Sequence, residues 1–359
     1  MASTRDLVYI PISRAKSLVQ NCLKAVGAKE SHAEDLADVL VAGDHRGHYS
    51  HGLNRLDMYV KDIQTGITNG DAEPITERET PATAMVDGKN VLGPVVGKYC
   101  MNLAIKKAKE CGVGWVLARQ SNHYGIAGYY SLMASSKGLI GMSMTNTSSL
   151  VLGTRAKSCT LGTNPVSFAT PGKSGDNFVL DMATSTVALG KVELQKRKDE
   201  KIPNGWGADK DGIETNVPGE VLRGGGLLPL GGSEETGGYK GYGLAMMVEI
   251  MTSIMSGATY GANVRKWGTT ERIADLGQCF IAVDPNVFCP GFNGRLQDYL
   301  SLQRDLEPAD STKPVLVPGD PEVAHQKICD EMGGIPYHKN VVKHLADVAA
   351  RLNVEAMDI

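Results

Sequence analysis

The sequence predicts an α/β fold in which strands and helices alternate along most of the chain. Its 359 residues are enough for a large hydrophobic core and suggest about two domains. The 42 glycines and the low aromatic share of 6% are typical of α/β proteins, where tight turns join strands to helices. From about residue 81 onwards the apolar residues switch repeatedly between strand and helix spacing.

Two amphipathic helices are predicted before residue 44. The first ends at Gly27, and the second is expected to start at a capping box over residues 31–34 and to end at Gly43. His32 would then be a solvated residue of the first turn. A third helix is predicted after Gly52, where apolar residues recur at helical spacing.

The central part of the chain is expected to build the sheet. Strands are predicted at residues 84–86, 91–92, 113–118, 139–144, 166–169, 178–180 and 279–283, and helices at residues 94–108, 127–136 and 244–254. Asp181 follows a strand and precedes small residues that are expected to open a helix, so its carboxylate could simply cap that helix. The Gly- and Pro-rich segment 202–238 is predicted to be a long loop, typical of a binding lid.

Composition excludes several classes of protein. Lys and Arg number 37 against 40 acidic residues, a formal charge of −3, so nucleic acid is not an expected partner. The seven cysteines are an odd number without a Cys-x-x-Cys pair, which fits reduced thiols. With no signal peptide and no apolar run of membrane-spanning length, we expect a cytoplasmic protein without membrane contact.

Titratable side chains are densest in residues 44–59. His51, Arg55 and Tyr59 follow one another at intervals of four and would share one face of the predicted third helix. A guanidinium can hold a carboxylate by two parallel hydrogen bonds while a neighbouring imidazole moves a proton. This combination suits a 2-hydroxy or 2-oxo acid, although a His-Arg pair can also be purely structural.

Two other chemistries compete for the same stretch. His45, His48 and His51 are spaced three apart and could ligate zinc in a hydrolase, but Gly47 lies among them and the spacing matches no His-Glu-x-x-His helix. A Ser-His-Asp hydrolase is disfavoured because the side chains of the adjacent Ser50 and His51 diverge on a helix or strand. We therefore expect no metal.

Further polar groups lie at predicted strand ends, where α/β proteins place ligand-binding loops. They occupy residues 121–125, 145–149, 162–165 and 181–185. His123 in the first group could be catalytic or a structural loop histidine. Lys240 lies among glycines at a helix start and suits a phosphate or pyrophosphate. No Gly-x-Gly-x-x-Gly motif follows a strand, which disfavours a Rossmann domain.

Five motifs in order closely resemble the type-2 malate/L-lactate dehydrogenase family. They are RGHYSHG at residues 46–52, SNH at 121–123, GTNP at 162–165, DMATS at 181–185 and GYKGYG at 238–243, and the resemblance covers about residues 10–350. The resemblance implies a nicotinamide-dependent oxidoreductase that works as a homodimer. It also implies a non-Rossmann nicotinamide-binding α/β fold, with a mixed sheet and a helical lobe formed by both termini.

The resemblance also implies roles for single residues. His51 would donate or accept the proton, with Ser50 and Asp181 as a relay, and His123 is the competing proton acceptor. Arg55 and Tyr59 would hold the substrate carboxylate. Thr163 and Asn164 are further expected substrate contacts. Cofactor contacts are expected at His123, Tyr124, Gly125, Thr147, Asp181, Met182, Ala183, Lys240, Pro318 and Gly319. One departure is the Gly-rich insertion at residues 223–236.

The expected organisation and activity follow from this resemblance. Residues 1–80 with 290–359 would form the helical lobe with the catalytic and substrate residues, and residues 81–289 the cofactor-binding domain. The expected reaction is hydride transfer between NAD or NADP and a small L-2-hydroxy acid, malate or lactate. The alternatives are reduction of a cyclic ketimine carboxylate, a zinc-dependent hydrolase, and a binding protein that keeps the fold without turnover.

Overall fold

The computed structural model describes residues 6–357, and this part of the chain forms fourteen strands and eleven α-helices. The strands are β1 (Leu7–Ile10), β2 (Ile75–Glu79), β3 (Thr83–Asp87), β4 (Val113–Ser121), β5 (Ile140–Thr145), β6 (Val151–Leu152), β7 (Cys159–Leu161), β8 (Val166–Pro171), β9 (Asn177–Met182), β10 (Gly207–Ala208), β11 (Glu214–Thr215), β12 (Gly226–Leu227), β13 (Leu276–Val283) and β14 (Ile335–His338). The helices are α1 (Ile12–Ala25), α2 (Glu30–His45), α3 (Leu56–Gln64), α4 (Gly93–Cys111), α5 (Ala127–Ser135), α6 (Leu189–Arg197), α7 (Pro218–Leu222), α8 (Gly238–Glu249), α9 (Phe292–Arg304), α10 (Asp320–Glu331) and α11 (Lys339–Arg351).

A seven-stranded sheet with the order β2-β3-β4-β13-β5-β8-β9 forms the centre of the molecule. Within the described residues, β3 and β4 pair in parallel and the other neighbours in this sheet pair antiparallel. This mixed pairing confirms the predicted mixed sheet and differs from a Rossmann sheet, which is mostly parallel. Two smaller sheets have the orders β11-β10-β12-β6-β7 and β1-β14, so part of the predicted loop 202–238 is structured.

Helices α4 and α5 pack against the central sheet. As predicted, Pro94 stands in the first turn of α4, where its missing N–H costs nothing. The two helices approach closely at Gly97, because a Cβ at this position would lie 2.4 Å from a ring carbon of Tyr130. Tyr130 in turn packs edge-on against Phe280 of β13, and both side chains are fully buried.

Both ends of the described chain pack together, which confirms the predicted terminal lobe. β1 pairs antiparallel with β14, and Val342 and Leu345 of α11 share a hydrophobic core with Leu18 of α1. That core continues without a break to Phe280, so the domain boundaries at residues 80 and 289 remain predictions. No helix within residues 6–357 has the length and apolarity needed to cross a membrane.

Two predicted helix starts are wrong. Helix α2 begins at Glu30, before the predicted capping box, and His32 is buried with its Nδ1 3.0 Å from the carbonyl oxygen of Gly70. Packing under the turn at Gly70 thus outweighs the local capping pattern. Asp181 and Met182 still belong to β9, and the next helix begins only at Leu189.

The helix predicted directly after Gly52 is wrong in its first part. Two 3₁₀ turns, Tyr49–His51 and Leu53–Arg55, precede α3. The buried carboxylate of Asp44 explains this geometry, because its Oδ2 accepts a hydrogen bond from the Leu53 N–H at 2.9 Å. Its Oδ1 fills the space beside Gly52, where an added Cβ would lie only 1.8 Å away. His51 and Arg55 therefore belong to successive turns rather than to one regular helix.

Candidate active site

Four of the predicted site residues converge in the structure. The rings of His51 and His123 lie nearly parallel, with their centroids 5.8 Å apart. The Tyr59 hydroxyl lies 2.6 Å from Nδ1 of His123. Arg55 belongs to the turn that follows His51, so the α2–α3 region and the loop after β4 contribute side chains to one cluster.

The guanidinium of Arg55 is held at one end and free at the other. Its Nε donates to the carbonyl oxygen of Ser50 at 2.6 Å. Within residues 6–357, its two terminal nitrogens make no hydrogen bond to protein. They form the two-pronged donor that fits a carboxylate.

The side chains of Ser50 and His51 were expected to diverge, but they are hydrogen-bonded to each other within the 3₁₀ turn Tyr49–His51. The Oγ of Ser50 lies 2.8 Å from Nδ1 of His51, which leaves Nε2 for a ligand. Burial, together with the positive charges of Arg55 and His48, lowers the pKa of His51 to about 4. The imidazole is therefore neutral at physiological pH and can accept a proton.

The hydrogen bonds of His123 define its tautomer. Its Nδ1 accepts from the backbone N–H of Gly125 at 3.3 Å, and an amide N–H can only donate. The Tyr59 hydroxyl donates to the same Nδ1, because burial raises the pKa of this phenol and keeps it protonated. The proton of the neutral ring therefore lies on Nε2. Burial, together with the positive charge of the Arg55 guanidinium, holds the pKa of His123 well below 6.5.

Sequence reasoning missed Trp267, which covers this cluster. Its ring centroid lies 4.4 Å from that of His123, and Cζ of Arg55 lies 5.9 Å from the indole centroid. Trp267 stands in an irregular segment between α8 and β13 with no apolar periodicity. The only feature of the sequence that could have pointed to Trp267 as a site residue is the presence of a large aromatic residue in this irregular segment.

Asp181 caps a helix, but a different one from that expected. Its Oδ2 accepts from the N–H of Gly128 in the first turn of α5 at 2.8 Å. Burial raises the pKa of Asp181 to about 6, and the charge of Arg46 opposes this shift. Within residues 6–357 it makes no hydrogen bond to Ser50 or His51, so the predicted relay through Asp181 remains a prediction.

The predicted cofactor loops form one connected group. The N–H of Thr163 donates to Oγ1 of Thr147 at 2.9 Å, and the N–H of Thr184 donates to the carbonyl oxygen of Thr163 at 2.8 Å. The N–H of Leu230 then donates to the Thr184 carbonyl oxygen at 2.9 Å. Leu230 lies against Gly241, where an added Cβ would be 2.2 Å from its carbonyl oxygen. This chain of contacts leads from the ends of β5 and β9 to the start of α8.

The start of α8 fits the phosphate groups of a dinucleotide. Lys240 is exposed in the first turn, and Gly237 ahead of it has a φ of 95°, a conformation that favours glycine. The N–H groups of Gly238 and Lys240 already donate to the carbonyl oxygens of Ser233 and Gly237, so the mobile cation of Lys240 is the group that suits an anion here.

The turn at Pro318 and Gly319 lies beside β9. The carbonyl oxygen of Pro318 accepts from the N–H of Val179 at 3.0 Å. Met182 and Ala183, which follow in the same strand and just after it, are half-buried. The residues predicted to contact the cofactor at this edge of the sheet are thus neighbours in space.

Two predicted contact residues have their side chains committed to the protein. Asn164 is fully buried, its Nδ2 donates to Glu249 and its Oδ1 accepts from the N–H of Thr147. Tyr124 is also buried, with its hydroxyl 3.0 Å from Oγ of Ser143. Both support the loops around the site, and their contacts to substrate and cofactor remain predictions.

The three histidines considered for zinc have separate partners. Nε2 of His45 lies 2.9 Å from Asp330, Nε2 of His48 lies 3.5 Å from Glu322, and His51 bonds to Ser50. Within residues 6–357 no group of three His, Cys, Asp or Glu side chains is arranged to hold a metal ion.

A guanidinium that can grip a carboxylate, beside imidazoles that can move a proton, is what oxidation of a hydroxy acid requires. Loops suited to a dinucleotide supply the other requirement. The molecule is therefore an oxidoreductase of the dehydrogenase class. Comparison with known proteins defines it further: residues 10–346 match the malate/L-lactate dehydrogenase family, and the chain belongs to that family.

Individual relatives match nearly the whole chain. The malate dehydrogenase of Pyrococcus abyssi is 40% identical over 357 residues, which cover 99% of this chain and 98% of the relative. The L-sulfolactate dehydrogenase of Methanocaldococcus jannaschii is 38% identical over 345 residues, 96% of this chain and 97% of the relative. The solved structure of malate dehydrogenase from Pyrococcus horikoshii OT3 superposes with a TM-score of 0.91 at 37% identity and covers 99% of both chains. The fold expected from the motifs is confirmed.

Proposed function

We propose that the protein interconverts an L-2-hydroxy acid and its 2-oxo acid, with malate as the preferred hydroxy acid. The observation that carries this proposal is the free end of the Arg55 guanidinium beside the neutral imidazoles of His51 and His123. The similarity to an archaeal malate dehydrogenase over 99% of the chain supports the choice of malate.

Each side chain of the cluster has a distinct part in the proposed reaction. The terminal nitrogens of Arg55 hold the C1 carboxylate, which fixes C2 and its oxygen near the two imidazoles. Nε2 of His51 takes the proton of the C2 hydroxyl. His123 carries its proton on Nε2 and donates a hydrogen bond to the same oxygen, because Nδ1 already accepts from Gly125 and Tyr59.

When bound, a nicotinamide dinucleotide would supply the hydride acceptor for C2. Lys240 at the start of α8 would hold its phosphates, and Thr147, Met182 and Ala183 would line the route to the cluster. The turn at residues 318–319 would close this side, since its backbone bonds to β9. Asp181, which accepts from the first turn of α5, and His123, in the loop just before that helix, would position the reacting end.

Steady-state kinetics test the proposal. Purified protein is assayed with NAD and NADP against L-malate, D-malate, L-lactate, L-sulfolactate and a cyclic ketimine carboxylate, following the nicotinamide absorbance. We expect turnover of L-malate, little of D-malate, and loss of activity in Arg55→Ala. Turnover of the cyclic imine alone would replace the proposal by the imine reductase alternative.

We further infer that two copies associate and that the enzyme works in the cytoplasm. Four exposed apolar side chains, Tyr239, Met246, Ile250 and Ile254, follow one stripe of α8 and the π-helical turn Ile250–Ile254. Such a stripe suits burial against a second copy. The seven cysteines are all free thiols, which suits a reducing compartment.

Light scattering tests this association. The wild-type protein should have the mass of a dimer, and Ile250→Asp with Ile254→Asp should shift it to a monomer. Lys191→Asp, an exposed change on α6, is the matched control. A monomeric wild-type protein would exclude the dimer.

A further inference from the structure

Trp267 touches two groups of the proposed site at once. Its indole ring lies against His123 at a centroid distance of 4.4 Å and an interplanar angle of 45°. The Arg55 guanidinium also lies over the indole, with its Cζ 5.9 Å from the ring centroid. The indole is half-buried, so part of its surface is left for a ligand.

The segment that carries Trp267 is anchored immediately before it. Arg265 is buried and forms a two-pronged ion pair with Asp62 of α3, at 2.8 and 3.3 Å. The carbonyl oxygen of Arg265 accepts from Oγ of Ser148 at 2.6 Å. Val264 is also buried, in a small core with Leu276. These contacts fix the backbone, so the position of the indole is set by the scaffold rather than by a mobile loop.

The chain becomes more exposed to solvent directly after Trp267. Gly268 is exposed with a φ of 87°, and Thr270 and Ile273 are exposed as well. An exposed turn at Gly268 thus follows directly on Trp267, whose indole stays against His123.

We propose that Trp267 is the specificity-determining wall of the substrate site. Its indole holds the Arg55 guanidinium through a cation–π contact and fills the space beside His123, so the site takes 2-hydroxy acids with short side chains. This inference rests on the proposed function and adds to it the residue that limits substrate size.

Kinetics of variants test the wall. Trp267→Ala removes the ring face from Arg55, so the KM for L-malate should rise roughly 3- to 30-fold. The same change opens space, so kcat/KM for L-2-hydroxyisocaproate relative to L-malate should rise by roughly 10-fold or more, the usual effect of pocket volume. Trp267→Phe keeps an aromatic face and should restore most of the affinity for malate. Lys266→Ala, the exposed neighbour, is the matched control and should change neither quantity.

Fluorescence gives a readout that does not need turnover. Binding of oxamate, an unreactive analogue of a 2-oxo acid, should change the emission of the wild-type protein through Trp267. The change should be absent in Trp267→Phe, which keeps Trp115 and Trp206. This arm remains usable if Trp267→Ala fails to fold.

The outcomes separate the two proposals. A wild-type enzyme that turns over malate, with a substrate ratio unchanged in Trp267→Ala, would overturn the wall and leave the proposed function intact. A wild-type protein that turns over no 2-hydroxy acid would refute the proposed function. In that case the oxamate titration tests the role of Trp267 by itself. A change in emission that occurs in the wild type and is lost in Trp267→Phe supports Trp267 as a wall of a site for 2-oxo acids. The absence of any change in the wild type overturns this role.

Discussion

The hydroxyl of Tyr59 lies 2.6 Å from Nδ1 of His123, and this hydrogen bond joins α3 to the loop between β4 and α5. Tyr59 is buried and stays protonated, so it donates. The bond directs the imidazole proton to Nε2 and aligns His123 with His51. Two segments far apart in the chain are thereby held in one site.

Removal of the Tyr59 hydroxyl tests how far the alignment of His123 with His51 depends on this hydrogen bond. In Tyr59→Phe, Nδ1 of His123 keeps only the longer contact to Gly125, at 3.3 Å. We expect a loss of about 1–3 kcal/mol in the free energy of unfolding, the usual cost of a buried polar group with a missing partner. We also expect a lower kcat, since the imidazole is less well oriented. Urea unfolding and steady-state kinetics measure the two effects.

Tyr130→Phe is the matched control for Tyr59→Phe. It removes another buried hydroxyl, which donates to the carbonyl oxygen of Tyr124 at 2.6 Å, outside the His51–His123 cluster. Its kcat should stay near that of the wild type even if its stability falls. Equal losses of kcat in both variants would assign Tyr59 a general role in stability.

The pH dependence should reflect an imidazole of low basicity. A base acts in its neutral form, and burial lowers the pKa of His51 to about 4. In the free enzyme, the acid limb of kcat/KM for oxidation that belongs to His51 should therefore lie near pH 4 rather than near the usual 6.5 of an imidazole. His51→Ala should lower kcat by roughly 10²–10⁴-fold and remove this acid limb. An unchanged limb in that variant would exclude His51 as the base.

The variant Asp181→Asn tests whether the titration of Asp181 contributes to the pH dependence of kcat/KM separately from that of His51. The pKa of Asp181 is raised to about 6 by burial, so its protonation would produce a limb above that of His51. A limb near pH 6 that is absent in an active Asp181→Asn variant would assign that limb to this carboxylate, and an unchanged limb would exclude Asp181 as its source.

Arg55→Lys tests the two-pronged contact. Lysine keeps the charge but presents a single ammonium, so we expect weaker binding of the acid. The KM for malate should rise by at least about 10-fold, the value of 1.4 kcal/mol in binding. Lys61→Arg, an exposed exchange on α3, is the control and should have no effect. A KM equal to that of the wild type would contradict the role of Arg55.

The contact between Gly52 and Asp44 can be tested by a double-mutant cycle. In Gly52→Ala the new methyl collides with Asp44 Oδ1, and overpacking of this kind costs about 1–3 kcal/mol. Asp44→Ala removes the obstacle but leaves the Leu53 N–H and the Tyr337 hydroxyl without their acceptor. The double variant should lose less stability than the two single changes added together. Strictly additive losses of unfolding free energy would show that the collision is relieved elsewhere.

Much of the site could be predicted because its signals are local. His51, Arg55 and Tyr59 lie within a short stretch, and His123 and Lys240 stand in polar groups at the ends of strands or the start of a helix. The kinds of reactive group that these residues supply follow from their identities, although burial shifts the pKa values of His51, Tyr59 and His123. Six of the seven central strands were predicted for the same reason, since apolar periodicity is a property of consecutive residues. Strand β2 and the strands of the two smaller sheets were not predicted, and the strand predicted at residues 91–92 is only an isolated bridge between Val91 and Asn69.

The errors have a common cause in packing. Helix α2 does not start at the capping pattern of residues 31–34, because His32 makes a buried contact with Gly70. A 3₁₀ turn forms after Gly52 in place of a regular helix, because Asp44 occupies the space that the first helical turn would need. Local propensities amount to less than about 1 kcal/mol per residue, which a buried contact exceeds.

The sequence by itself determined the α/β class, the order of the motifs and the reactive groups available to the protein. Only the tertiary structure decided that His123 meets Tyr59, that Asp181 caps α5, and that Trp267 stands against Arg55. These contacts join residues far apart in the chain. The geometry of these contacts depends on how whole helices and strands pack, so it cannot be predicted from a local pattern of residues.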